Sequence, residues 1–181
     1  MAVPEIFKNT RLPLIAAPMF LVSGVELTLA ACRAGITGTF PALNQRTTEG
    51  FEAWVVEIKQ TLADFRQENP DAPVGPFGVN LIVHHSNPRL KADLAVCVEQ
   101  EVPLVITSLG AVEDVVDAVH SYGGVVFHDV TKRRHAQKAI DAGVDGLILV
   151  AGGAGGHAGT TNPFALLNDI RPIFDGTIIL A

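Results

Sequence analysis

The stretch LVITSLGAVEDVVDAVHSYGGVVFHDVTKRRHAQKAIDAGVDGLILV, from Leu104 to Val150, decides the fold. Three short apolar runs begin at Leu104, Val125 and Gly146, so each start lies 21 residues after the one before. The runs are rich in Val, Ile and Leu and do not alternate with polar residues. That is the pattern of strands covered on both faces, as in parallel sheets. Between them Val112, Val115, Val116 and Val119 recur at helical spacing, as do Ala136, Ala139 and Ile140. Gly123 and Gly143 stand where these helices should stop. One such period holds a strand and a helix and little else.

Outward from this stretch the alternation continues. Leu14 to Ala17, Ile36 to Phe40 and Phe77 to Val83 read as earlier strands, and Thr177 to Ala181 as a later one, which makes seven with Leu104–Thr107, Val125–His128 and Gly146–Val150. Phe51, Trp54, Val55, Ile58, Leu62 and Phe65 form one helical stripe, Leu90, Leu94, Cys97 and Val98 another, and Gly35 punctuates like the other two glycines. Repeated βα units build either an open doubly wound sheet or a closed eight-stranded barrel, and periodicity alone does not separate the two. No strand is followed by G-x-G-x-x-G, which lowers the dinucleotide-binding alternative. The expectation is a single α/β domain over residues 1–181, a TIM-type (β/α)8 barrel truncated after strand seven. A barrel stopped there leaves a parallel edge unpaired, so the chain is expected to be part of a longer polypeptide.

Composition bounds the function. Of 181 residues, 48% are hydrophobic and 18% charged, which is globular rather than disordered. A net charge of -6 argues against a nucleic-acid partner; Lys132, Arg133 and Arg134, the densest basic cluster, read as a solvated helix start. Cys32 and Cys97 fall on apolar helix sides and read as structural free thiols, which suits a reducing cytoplasm. The start MAVPEIFKNTRLP has no apolar core of a signal peptide, and no run approaches the length of a membrane span.

The segment that carries most chemistry is Ala151-Gly-Gly-Ala-Gly-Gly-His-Ala-Gly159, directly after the sixth strand. Four glycines between 152 and 156 cost backbone entropy, and such a loop is useful where main chain must approach a ligand. In a barrel it lies at the carboxyl ends of the strands, where active sites are built. His157 within it is the catalytic candidate. Ala17, Pro18 and Met19 end the first strand as a stiff, soft-surfaced turn or as an ordinary βα connection. Asn80 places an amide inside an apolar strand, where it must satisfy backbone or meet a ligand.

Other polar residues have plainer readings. His84 and His85 are adjacent, and on an extended chain they point to opposite sides, a poor metal pair. His128 ends a strand and could face the same cavity as His157. Thr107 and Ser108 could donate to a ligand or cap a helix at Ala111. Thr160 to Pro163 reads as a helix cap. No metal site is expected.

LPLIAAPM (12–19), FGVNL (77–81) and AGGAGGHAG (151–159), in this order, resemble the nitronate monooxygenases, formerly 2-nitropropane dioxygenases. The flavin-dependent enoyl-acyl-carrier-protein reductases are a neighbouring family of the same architecture. The resemblance implies FMN as cofactor. Ala17, Pro18 and Met19 would lie against its ring, Asn80 would hydrogen-bond the ring's polar edge, Gly155 and Gly156 would allow close approach, and His157 would face the substrate. It further implies oxidation of an alkyl nitronate by dioxygen to a carbonyl compound and nitrite, with FMN passing the electrons and the protein orienting and tuning it. His157 would act as a base toward nitroalkanes or as a donor to the nitro group. Two positions depart from the family pattern. Asp129 stands where many relatives carry Lys, and Val150 where they carry an acidic residue or Gln. The FMN phosphate would be held by loops after strands seven and eight, which this chain does not include. The alternatives are an FMN- and NAD(P)H-dependent enoyl reductase and an inactive truncated barrel.

Overall fold

The computed structural model describes residues 4–110 and 113–181. Seven strands alternate with six helices in the order β1 (Ile15–Ala16), α1 (Val25–Arg33), β2 (Thr37–Pro41), α2 (Thr48–Glu68), β3 (Phe77–Ile82), α3 (Leu90–Glu99), β4 (Leu104–Ser108), α4 (Glu113–His120), β5 (Val125–Val130), α5 (Arg133–Asp141), β6 (Gly146–Leu149), α6 (Pro163–Ile170) and β7 (Thr177–Leu180). The starts of β4, β5 and β6 fall on the residues that the period indicates. Strand ends move by one or two positions, most at β5, which runs on through Asp129 to Val130. Val112, read into a helical stripe, and Ala111, read as a capping site, lie outside the described residues.

Every strand is parallel to its neighbour, and the sheet order β1-β2-β3-β4-β5-β6-β7 follows the chain without reversal. A doubly wound sheet would reverse its order part-way and take helices on both faces. Here one face of the sheet meets the helices. Phe40, Val79, Leu81, Val105, Val126, Leu147 and Leu149 point toward them and join the helix stripes in one core. The opposite face carries a separate cluster of Leu104, Ile106, Phe127 and Ile148, with Phe7 from the 3-10 turn Glu5–Phe7 packed against Phe127 at a ring distance of 5.7 Å. This inner face is the lumen side of a partial TIM-type barrel of seven strands, filled by side chains as such lumens are. Fully burying an aliphatic or aromatic side chain contributes about 1.5–3 kcal/mol, so both layers matter to stability.

The helices form for the reasons read from their stripes. In α2, Phe51, Val55, Ile58 and Leu62 are buried, and Thr47 caps the start by accepting from the Gly50 amide. Asn162 caps α6 with Pro163 in its first turn. Gly35, Gly123 and Gly143 take φ of 83°, 84° and 82°, the left-handed geometry that ends a helix before the next strand. Cys32 and Cys97 are buried free thiols; burial pushes Cys32 up to about 11 and Cys97 higher still, so neither is a reactive thiolate. Arg133 and Arg134 are exposed on α5. Among the described residues no helix is long and apolar enough to cross a membrane.

Candidate functional site

Parallel register brings one polar set together on the inner face. Asn80 on β3 is paired with Ile106 on β4, and Ile82 with Ser108. Asp129 follows Phe127 on the same face of β5, opposite Ile148 of β6. The Asn80 Nδ2 group donates to the Ile106 carbonyl at 3.2 Å and to Ser108 Oγ at 2.9 Å. Ser108 then donates to Asp129 Oδ2 at 2.5 Å. Asn80 is 7% exposed, yet its Oδ1 is not among the buried atoms that lack a partner. With both amide hydrogens engaged, Oδ1 is an acceptor left without a partner among the described residues. Burial pushes the Asp129 carboxyl above its ordinary range, while the Ser108 hydrogen bond pulls it the other way.

The turn after β1 stands on the same rim. Ala17 and Met19 are exposed and Pro18 half-buried. Two residues not singled out in the sequence hold this turn. Buried Ser23 accepts from the Met19 amide at 2.9 Å and donates to the Ala17 carbonyl at 3.3 Å. Asn44, from the turn after β2, donates to the Met19 and Ser23 carbonyls at 3.0 and 2.7 Å and accepts from the Leu21 amide at 2.9 Å. These bonds fix Leu21 at a φ of 61°, unusual for a non-glycine residue. Serine and asparagine in a loop carry no distinctive spacing, so no sequence signal marked them.

The glycine loop follows β6. Its base is closed by the Gly152 amide on the Thr161 carbonyl at 2.7 Å, and a Cβ on Gly159 would lie 2.4 Å from the Val150 carbonyl oxygen. Gly153 and Gly156 take φ of 106° and 73°. A Cβ on Gly155 or Gly156 would meet nothing within 4 Å, so glycine there leaves main chain open rather than relieving a clash. His157 is exposed at the tip of this loop, with no hydrogen-bond partner among the described residues. Ala17 and His157 thus sit on the connections that follow β1 and β6, and Asn80 in the carboxyl-terminal half of β3.

His128 does not join them. Strand alternation sends Phe127 and Asp129 inward and His128 outward, under the helices, where its Nδ1 is 2.8 Å from Thr107 Oγ1. Burial holds this imidazole down at about 4. Thr107 turns outward for the same reason, so Ser108 alone of that pair reaches the inner face. His84 and His85 do not point apart as an extended chain would have them. Their rings lie 4.0 Å apart, with His84 Nδ1 2.7 Å from Ser86 Oγ, beside an open depression of about 440 Å³ that Asn87 and Lys91 also line. No group of three or more His, Cys, Asp or Glu among the described residues is placed to hold a metal ion. Half-buried Arg89 Nη2 lies 3.0 Å from Oδ1 of the buried Asp93 and ties the turn after β3 to α2 through Thr48, which donates to the same oxygen at 2.7 Å.

Comparison with known proteins places the fold. The search against family models found no match. Over 169 residues the chain is 25% identical to the (3aS,4S,5R,7aS)-5-hydroxy-7a-methyl-1-oxo-octahydro-1H-indene-4-carboxyl-CoA dehydrogenase of Rhodococcus jostii, covering 93% of this chain and 44% of that protein. FabK from Thermotoga maritima superposes with a TM-score of 0.80 at 23% identity, over 96% of this chain and 51% of that one. The fold is shared. The nitroalkane oxidase of Streptomyces ansochromogenes superposes with a TM-score of 0.77 at 21% identity, over 95% of this chain and 59% of that one. The chain spans less than half the length of the curated relatives it matches, 44% and 42%.

Proposed function

We propose that this chain carries the ring-facing part of the site of an FMN-dependent oxidoreductase that oxidises alkyl nitronates with dioxygen. The observation that carries the reading is Asn80. It is locked by two donated hydrogen bonds and left with one free acceptor on the inner wall, between the Ala17–Met19 turn and the glycine loop. An acceptor so placed suits an N–H on the polar edge of a flavin ring. Ala17, Pro18 and Met19 would supply an apolar surface for that ring, and open main chain at Gly155 and Gly156 would let it come close. FMN, when bound, would supply the electron transfer that no side chain provides. His157 would hold the substrate's nitro oxygens by hydrogen bonding; its exposed loop lets it meet a ligand that enters from solvent. Likeness to a nitroalkane oxidase supports this choice of substrate.

The test is a visible spectrum of the full-length protein before and after anaerobic addition of ethyl nitronate. A flavin spectrum bleached by nitronate supports the reading. A second reading, an NAD(P)H-dependent enoyl reductase, draws on the likeness to FabK. A flavin indifferent to nitronate and bleached by NAD(P)H would favour it, and a colourless protein that does not take up FMN would overturn both.

A further inference from the structure

Asp129 is a carboxylate on the inner wall that neither binding a flavin ring nor holding a nitro group uses. Its Oδ2 accepts from Ser108 at 2.5 Å, and Ser108 accepts in turn from Asn80. Its Oδ1 has no partner among the described residues and is not among the buried orphan atoms, so it is not sealed from solvent. The residue stands on a strand, where its direction is set by the sheet. His157, in contrast, stands on an exposed glycine loop with nothing to orient it. Catalytic proton transfer favours the group that is held in place before substrate arrives.

From this geometry, and resting on the reading of the rim as a small-molecule site, we infer that Asp129 is the base that deprotonates neutral carbon acids there. In the step, the C–H bond next to a nitro or carbonyl group breaks and the proton passes to Asp129 Oδ1. The electron pair stays on the substrate as nitronate or enolate, and water later takes the proton from Oδ1. No oxidant enters this step. Ser108 and Asn80 are positioning residues: their hydrogen bonds run toward the carboxylate and leave Oδ1 free to receive the proton. The surroundings suit a base. Ile148 faces it from β6, Ser108 from β4 and Asn80 beyond, while His128 turns to the helix side. Burial makes the carboxyl a stronger base than one in water, and the Ser108 hydrogen bond tempers that rise.

The experiment compares full-length wild type and Asp129→Asn, an isosteric change, on two readouts. One is anaerobic exchange of the nitroethane α-proton with D2O followed by NMR. The other is kcat/KM for nitroethane and for preformed ethyl nitronate. Loss of a positioned base should slow exchange and lower kcat/KM for nitroethane by about 10²-fold or more, with ethyl nitronate unimpaired. Unchanged nitroethane chemistry, or equal losses on both substrates, would overturn the assignment. Ser108→Ala removes the bond that holds the carboxyl down, so the rise of kcat/KM for nitroethane with pH should move to higher pH. A profile that stays in place would count against Asp129 as the titrating group. Wild type that consumes nitronate without exchanging nitroethane leaves the flavin reading standing and removes the base. Asp129-dependent exchange without nitronate consumption does the reverse.

Discussion

Asn80 donates to Ser108 across the β3–β4 boundary, Nδ2 to Oγ at 2.9 Å, while the second amide hydrogen reaches the Ile106 carbonyl at 3.2 Å. A carbonyl oxygen accepts only, so the nitrogen of this amide must face Ile106 and the oxygen must face away from it. Asn80→Asp would set carboxylate oxygens against the Ile106 carbonyl and near Asp129. It should destabilise the full-length protein by at least about 1–3 kcal/mol at pH 8. Asn80→Ala should weaken FMN binding. Denaturant midpoints and flavin fluorescence titration read the two effects, and a variant with native stability and native flavin affinity would leave Asn80 with no role at the rim.

His157 is exposed and touches no hydrogen-bonding partner among the described residues. His157→Ala should therefore leave the melting temperature and bound flavin as they are, with a stability change within about 0.5 kcal/mol. Turnover on nitronate should fall by about 10²-fold or more. Steady-state oxygen uptake measures this, and native kinetics would remove His157 from the mechanism.

Gly146 opens β6 directly beside Phe127 on the inner face. A Cβ at Gly146 would lie 2.6 Å from the Phe127 ring. The ring is rigid and wholly buried, so Gly146→Ala should cost about 1–3 kcal/mol by overpacking. Phe127→Leu in the same chain should make the added methyl cheaper than it is alone. Urea denaturation of the two single variants and the double reads that coupling.

His128 gives the fold an acid limit. Burial holds its folded value down at about 4, against about 6.5 in the unfolded chain. Above the unfolded value both states are neutral and the group contributes no pH dependence. As pH falls below it, the unfolded chain binds a proton that the folded chain refuses, so stability declines from about pH 6.5 down to about 4. The full loss is roughly 3 kcal/mol. His128→Leu should flatten this decline, because Thr107 keeps its hydrogen bond to the Phe127 carbonyl at 3.2 Å. His135, held down chiefly by desolvation and also by the basic side chains around it, is the more exposed of the two and should add a smaller slope. Stability curves at pH 7.5 and 5 for both proteins test this.

Period and punctuation in the sequence determined the alternating parallel architecture. A 21-residue spacing of apolar runs leaves room for one strand and one helix and no other connection, and glycine at 35, 123 and 143 ends helices wherever it takes a left-handed φ. The glycine loop and Asn80 were legible too, because a costly residue type at a strand end, or a polar one inside an apolar run, stands out locally. Tertiary structure alone decided which neighbours share a face. Thr107 and Ser108, or His128 and Asp129, are equivalent in a one-dimensional reading. Strand alternation separates them, and only the register of β4 against β5 sends Ser108 and Asp129 inward and pairs Thr107 with His128 outside. Contacts between residues 21 or more apart in the chain, such as Asn44 on Met19, depend on how strands are laid side by side, and no local pattern of residues encodes that.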